Sequence, residues 1–147
     1  MSRVVTAIDT NILLYAFNEA APENARARSF VNERQHDADT VISELGLLEL
    51  YVLLRNPAVL SQPLPAGEAV AVIGRLRSHP RWRVVDHVPA VMDDVWALAA
   101  RGDFPRRRVF DIPLALGLRR HGVTRFATRN TRDFEGLGFE AVFDPLL

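Results

Sequence analysis

The sequence contains no cysteine and no lysine. Without thiols it can form no disulfide, no zinc–thiolate site and no cysteine nucleophile. Without lysine it is neither a P-loop ATPase, which needs one on the phosphates, nor a Schiff-base enzyme. Receiver-type phosphorylation domains, which set a lysine beside an acidic site, are disfavoured for the same reason. No stretch approaches the roughly 18 apolar residues of a membrane span. The segment Val4-Val5-Thr6-Ala7-Ile8 meets the charge of Asp9 too soon for a signal peptide, and a cytoplasmic protein is expected. Net charge is missing as well, since 18 arginines balance 18 acids. Chemistry must therefore come from carboxylates, hydroxyls, arginines or histidines. His36, His79, His87 and His121 have no ligand spacing and read as structural or surface residues.

What is present is ordinary globular composition, 48% hydrophobic and 24% charged over 147 residues. One domain spanning residues 1–147 is expected, long enough to bury a core without staples. Strands are expected at 4–8, 40–42, 82–85 and 124–128, with a fifth at 141–143. Helical patterns fall at 10–17, 22–35, 44–54, 66–78, 89–100 and 113–121. Ser43 is placed to cap one helix and Gly122 to close another. In the 66–78 helix Val70, Ile73 and Leu76 are expected inward, and Trp82 and Trp96 are expected in the core. Tyr15 and Phe17 suit either a dimer surface or the core. Alternating strands and helices imply an α/β fold, a three-layer α/β/α sandwich around a mainly parallel sheet.

In such sheets the ligand crevice lies beyond the carboxyl ends of the strands. Asp9 directly follows the first strand, Asn130 and Asp133 follow the fourth, and Asp111 lies at the start of the helix before it. Taken singly, Asp9 could be a turn former and Asp111 a helix N-cap. Glu49 is expected on the inward face of its helix with Leu45, Leu48 and Val52, where a carboxylate is costly unless paired or metal-bound. Glu44 is explained by the helix dipole. Carboxylates clustered without histidine or cysteine suit a hard cation, magnesium or manganese. Such a centre can activate water and stabilise a phosphodiester in flight.

Four segments together resemble a PIN-domain protein, and more closely a VapC-type toxin ribonuclease. They are Ala7-Ile8-Asp9-Thr10-Asn11-Ile12-Leu13-Leu14-Tyr15-Ala16, Ile42-Ser43 through Leu48-Glu49-Leu50-Tyr51-Val52-Leu53, Phe110-Asp111 with Leu114-Ala115-Leu116 and His121-Gly122, and Ala127-Thr128-Arg129-Asn130-Thr131-Arg132-Asp133-Phe134. The resemblance implies a magnesium- or manganese-dependent endoribonuclease that leaves 5′-phosphate and 3′-hydroxyl ends. It also implies an antitoxin partner, with a homodimer or a hetero-oligomer with that antitoxin. The acidic residues of the family fall on Asp9, Glu49 and Asp111, with Asp9 and Asp111 as direct metal ligands and Glu49 either completing the site or holding a second metal or its waters. Thr10 and Asn11 would support them by hydrogen bonds. The fourth acidic position falls on Asn130, and Asp133 stands three residues later as a substitute.

Zero net charge conceals a strong asymmetry. Residues 101–132 carry nine arginines against two aspartates, a net of +7, while the segments before and after carry −3 and −4. Arg106, Arg107, Arg108 and Arg129 are the candidates for contact with RNA phosphates. Arg119 and Arg120 fit a solvated helix face equally well. Three other readings compete with a toxin. A haloacid-dehalogenase-type phosphatase needs an aspartate where Asn11 stands. A PIN-like module with a decayed site would bind RNA or protein without catalysis. A housekeeping nuclease would have no antitoxin.

Overall fold

The computed structural model describes residues 3–147. Five parallel strands, β1 (Thr6–Ile8), β2 (Thr40–Ser43), β3 (Arg83–Val85), β4 (Arg125–Ala127) and β5 (Ala141–Phe143), stand in the order β3-β2-β1-β4-β5. Every neighbouring pair is parallel, and Ala7 lies opposite both Val41 and Phe126. The helices are α1 (Thr10–Phe17), α2 (Asn24–Glu33), α3 (Glu44–Leu54), α4 (Ala66–Arg77), α5 (Met92–Ala99), α6 (Arg108–Arg120) and α7 (Thr131–Phe134).

Strand alternation divides the core in two. Ile8, Ile42 and Ala127 face one way and pack with Ile12, Leu13, Phe30, Leu47, Leu50 and Leu54 of α1, α2 and α3. Ala7, Val41 and Phe126 face the other way and pack with Ala115 and Leu118 of α6 and Phe134 of α7. Val95 of α5 closes over Ile112 of α6 in a smaller cluster. The result is the expected three-layer α/β/α sandwich. No helix among the described residues is long and apolar enough to cross a membrane.

The Ser43 hydroxyl accepts from the Gly46 N–H at 2.8 Å and so caps α3, and Gly122 ends α6 at φ 86°. Several details differ from the sequence pattern. The first strand is shorter, beginning at Thr6. The second helix runs from Asn24 to Glu33, and the segment expected helical from residue 89 opens as a 3₁₀ turn, Pro89–Val91. The sixth helix starts at Arg108, five residues before Pro113. That is feasible because its entry is wound by i→i−3 bonds, Arg108 N–H to Pro105, Val109 N–H to Arg106 and Phe110 N–H to Arg107. The imino nitrogen of Pro113 thus falls close to the start of regular winding.

One expected apolar stripe lies on the wrong face, and another holds at two of its three residues. On α3 the buried residues are Leu47, Leu50 and Leu54, while Leu45, Leu48 and Val52 are exposed. On α4 Ala69 is buried and Val70 is exposed, although Ile73 and Leu76 do pack inward. Trp82 is in the core, but Trp96 is exposed. Tyr15 and Phe17 pack against the core on the α1 side.

Candidate active site

With the strands ordered 3-2-1-4-5, the chain reverses direction across the sheet between β1 and β4, and the crevice opens there. Asp9 is the first residue beyond β1. Its N–H donates to the Ala127 carbonyl at 2.9 Å, which continues the ladder one step past the strand. Its side chain caps α1, with Oδ1 accepting from the Thr10 N–H at 2.8 Å. Oδ2 accepts from the Thr128 hydroxyl at 2.7 Å. Both oxygens are thereby fixed in direction by protein donors.

Burial pushes the Asp9 carboxyl up to about 6. The hydrogen bonds from Thr128 and Thr10 favour the ionised form and hold the rise back, while the charges of Glu49 and Asp111 add to it. Asp111, in the first turn of α6, is also raised, first by burial and then by the charge of Asp133; Arg108 opposes this and Glu49 adds to it. Asp9, Glu49 and Asp111 therefore share one electrostatic environment, although they come from the end of β1, from α3 and from α6.

Glu49 corrects the sequence reading. It is exposed on α3, not on the buried face, because the buried face runs through Leu47, Leu50 and Leu54. Its charge reaches the crevice from the solvent side. Among the described residues no three His, Asp or Glu side chains are drawn together tightly enough to form a coordination cluster. The donor set is nevertheless all hard oxygen, and its mutual repulsion is what a cation relieves.

Asn130 and Asp133 are both exposed, on the turn into α7 and within it. The Asn130 N–H donates to the Thr128 hydroxyl oxygen at 3.0 Å, and the Asp133 carbonyl accepts from Arg108 Nη2 at 2.8 Å. Thr10 supports Asp9 through its backbone; its hydroxyl donates to the Gly46 carbonyl at 3.1 Å and so ties α1 to α3. Asn11 accepts from the Arg129 N–H at 3.4 Å.

The arginines divide. Arg106 and Arg107 are exposed, whereas Arg108 is half-buried and engaged with α7. Arg129 departs from the expected role. Its guanidinium pairs with Asp144 at 3.0 Å and Glu23 at 3.6 Å and lies over the Tyr15 ring, so it is consumed in holding the C-terminal segment to α1 and α2.

Thr128 and Gly46 are the residues that sequence reasoning missed. Thr128 follows β4 as Asp9 follows β1, and the register pairs Ile8 with Ala127. A hydroxyl one residue past a buried strand, in step with an aspartate past its neighbour, was the available signal. Gly46 matters because a Cβ there would stand 2.9 Å from the Thr10 hydroxyl oxygen and 3.0 Å from that of Ser43.

Comparison with known proteins identifies the family. The PIN domain family matches residues 6–140. Ribonuclease VapC24 of Mycobacterium tuberculosis, in two strains, is 49% identical over 140 residues, covering 95% of this chain and 96% of the relative. Among solved structures, FitAcB from Neisseria gonorrhoeae aligns with a TM-score of 0.65 at 20% identity, over 96% of this chain and 98% of that one. The sarcin-ricin loop cleaving toxin VapC20 of Mycobacterium tuberculosis aligns at 0.63 and 15%, over 91% and 95%. These two structures share the fold, and the sequence match carries the closer kinship. The chain belongs to the PIN-domain family, beside the VapC ribonucleases.

Proposed function

We propose that the protein is a metal-dependent endoribonuclease and the toxin of a toxin–antitoxin pair, acting as one nuclease domain over residues 1–147. The observation that supports this reading is that burial raises both Asp9, just beyond β1, and Asp111, in α6, and that the charge of Glu49 adds to each rise. Kinship at 49% identity with a named ribonuclease supports the same activity.

Asp9 and Asp111 would hold a magnesium or manganese ion, with Glu49 completing the site from α3. When bound, that ion supplies an activated water and neutralises charge on the phosphodiester. The chain's own contribution is positional. Thr128 and Thr10 orient the two oxygens of Asp9, and Asp111 would be presented from the first turn of α6. Arg106 and Arg107 offer solvent-facing charge for RNA phosphates at the α6 end of the crevice. Asn130 adds no charge, and Asp133 is exposed on α7, where it can serve as the further acid.

A protein antitoxin and an RNA substrate are the partners this reading requires, and the cytoplasm is where they would meet. A non-catalytic binding module is the second reading, and Asn130 at the fourth position favours it. RNA cleavage assayed with wild-type protein, with Asp9→Asn and with chelator separates the two. Loss of cleavage in the latter two is expected, and undiminished cleavage in either would overturn the proposal.

A further inference from the structure

Phe110 is 82% exposed, although it is a large aromatic in the first turn of α6 and immediately precedes Asp111. Its place on the helix is fixed by its neighbours. Leu114, one turn on, lines a cleft with Asp9, Thr10 and Ser43. Residues i and i+4 share a helix face and their side chains lean toward the N-terminus. Phe110 therefore stands one turn above the crevice wall, at its mouth. Leu45 of α3 lines the adjoining cleft with Leu114 and Ser43 and is itself half-exposed.

The surroundings of Phe110 are charged. Arg106 and Arg107 lie just before it and are exposed, and neither forms an ion pair among the described residues. A flat apolar face beside free guanidinium groups matches a nucleotide, with a base to stack and phosphates to neutralise. A paired base inside an A-form stack offers no free face.

We propose that Phe110 is the stacking platform for an unpaired base of the RNA strand, next to the phosphate that approaches Asp111. This rests on the endoribonuclease reading and adds to it the residue that positions the nucleotide. Arg106 and Arg107 hold the flanking phosphates while Phe110 fixes which nucleotide lies over the crevice.

The test uses the full chain in chelator, so that nothing is cleaved. The probes are a short single-stranded RNA carrying one 2-aminopurine and the same strand in a duplex. Wild-type protein is expected to bind the single strand more tightly and to quench its fluorescence. Phe110→Ala should weaken that binding by about 5- to 100-fold, the range of one aromatic–base stack. Phe110→Trp should preserve it, and Phe110→Leu, apolar but without a π face, should lose as much as the alanine variant. Equal binding by wild type and Phe110→Ala would overturn the inference, as would rescue by leucine. A changed oligomeric state in Phe110→Ala by light scattering, with unchanged RNA affinity, would assign the residue to contact between copies instead. Wild-type protein that binds neither RNA would overturn this inference and the nuclease reading together. Cleavage that depends on Asp9 and is unaffected by Phe110→Ala would overturn the stacking role alone.

Discussion

The Thr128 hydroxyl donates to Asp9 Oδ2 at 2.7 Å, joining the ends of two adjacent parallel strands across the point where the sheet changes direction. The Thr128 hydroxyl oxygen also accepts from the Asn130 N–H. One buried hydroxyl thus sets both the orientation of the candidate metal-binding carboxylate and the path of the chain into α7. Thr128→Val removes this donor with little change in shape. A hydrogen bond to a charged group is worth about 1.5–3 kcal/mol. Cleavage near neutral pH should fall about tenfold or more, and the acid limb of the pH–rate profile should move to higher pH, because the ionised form of Asp9 loses a partner. Thr128→Ser should restore both. An unmoved pH profile in the valine variant would show that the bond does not govern Asp9.

Asp9 also makes the stability of the metal-free protein depend on pH. Its folded value is about 6, against about 3.9 for an unperturbed aspartate. The folded state thus prefers the neutral form, and the associated stability is complete below about pH 4 and is lost as pH rises through about 6. The loss amounts to about 3 kcal/mol. Asp9→Asn should therefore be the more stable protein above about pH 7, by up to about 3 kcal/mol, and should match the wild type near pH 4. Urea denaturation of both proteins across this range measures the difference. Added magnesium or manganese should raise the wild-type midpoint and leave that of Asp9→Asn unchanged.

Much of this arrangement could be read from the residues, and the misreadings have local causes. The first three strands are short runs rich in β-branched residues, and Asp9 stands just past β1, so the sheet and its crevice were legible. Helix α3 was not, because Leu45, Leu47, Leu48, Leu50, Val52, Leu53 and Leu54 cover most of its circumference. A stripe through Leu45, Leu48 and Val52 fits the helical period as well as the one through Leu47, Leu50 and Leu54, and only the sheet decides between them. Choosing the first placed Glu49 inside; choosing the second leaves it in solvent, within electrostatic reach of the aspartates. Pro113 misled in another way, since a 3₁₀ entry lets the helix begin before it. The pairing of Arg129 with Glu23 and Asp144 joins residues too distant in sequence for any local pattern to report.

Gly46 joins α3 to α1 beside the site. The Thr10 hydroxyl donates to its carbonyl, and its N–H donates to Ser43, so neither neighbour is free to withdraw. Alanine would gain about 1 kcal/mol of helix propensity, but its Cβ would meet two held oxygens at 2.9 and 3.0 Å. Crowding of that kind costs about 1–3 kcal/mol. Gly46→Ala should thus lose about 1 kcal/mol net in denaturant. It should lose cleavage activity out of proportion to that, because Thr10 is displaced beside Asp9. A stabilised and fully active variant would show that α3 can shift without disturbing the site.

The three consecutive arginines before Asp111 should separate in a salt titration. Arg106 and Arg107 face solvent, so their contribution to RNA binding is neutralisation of phosphates and release of counterions. For a single strand, each phosphate that is no longer neutralised should flatten the slope of log K against log salt by about 0.7. Arg106→Gln with Arg107→Gln should therefore weaken binding at low salt, flatten the slope by up to about 1.4, and converge with the wild type at high salt. Arg108 is half-buried, with Nη2 on the Asp133 carbonyl and its charge opposing the rise of Asp111. Arg108→Gln should change the salt slope little. Its effect should fall on stability, through the broken tie between α6 and α7, and on the pH profile, which should move up as Asp111 becomes harder to ionise. A slope flattened equally by Arg108→Gln would place its guanidinium on RNA instead of on α7. Fluorescence anisotropy with a short RNA in chelator, repeated across salt concentrations for each variant, gives the slopes, and thermal melts of the same samples give the stability.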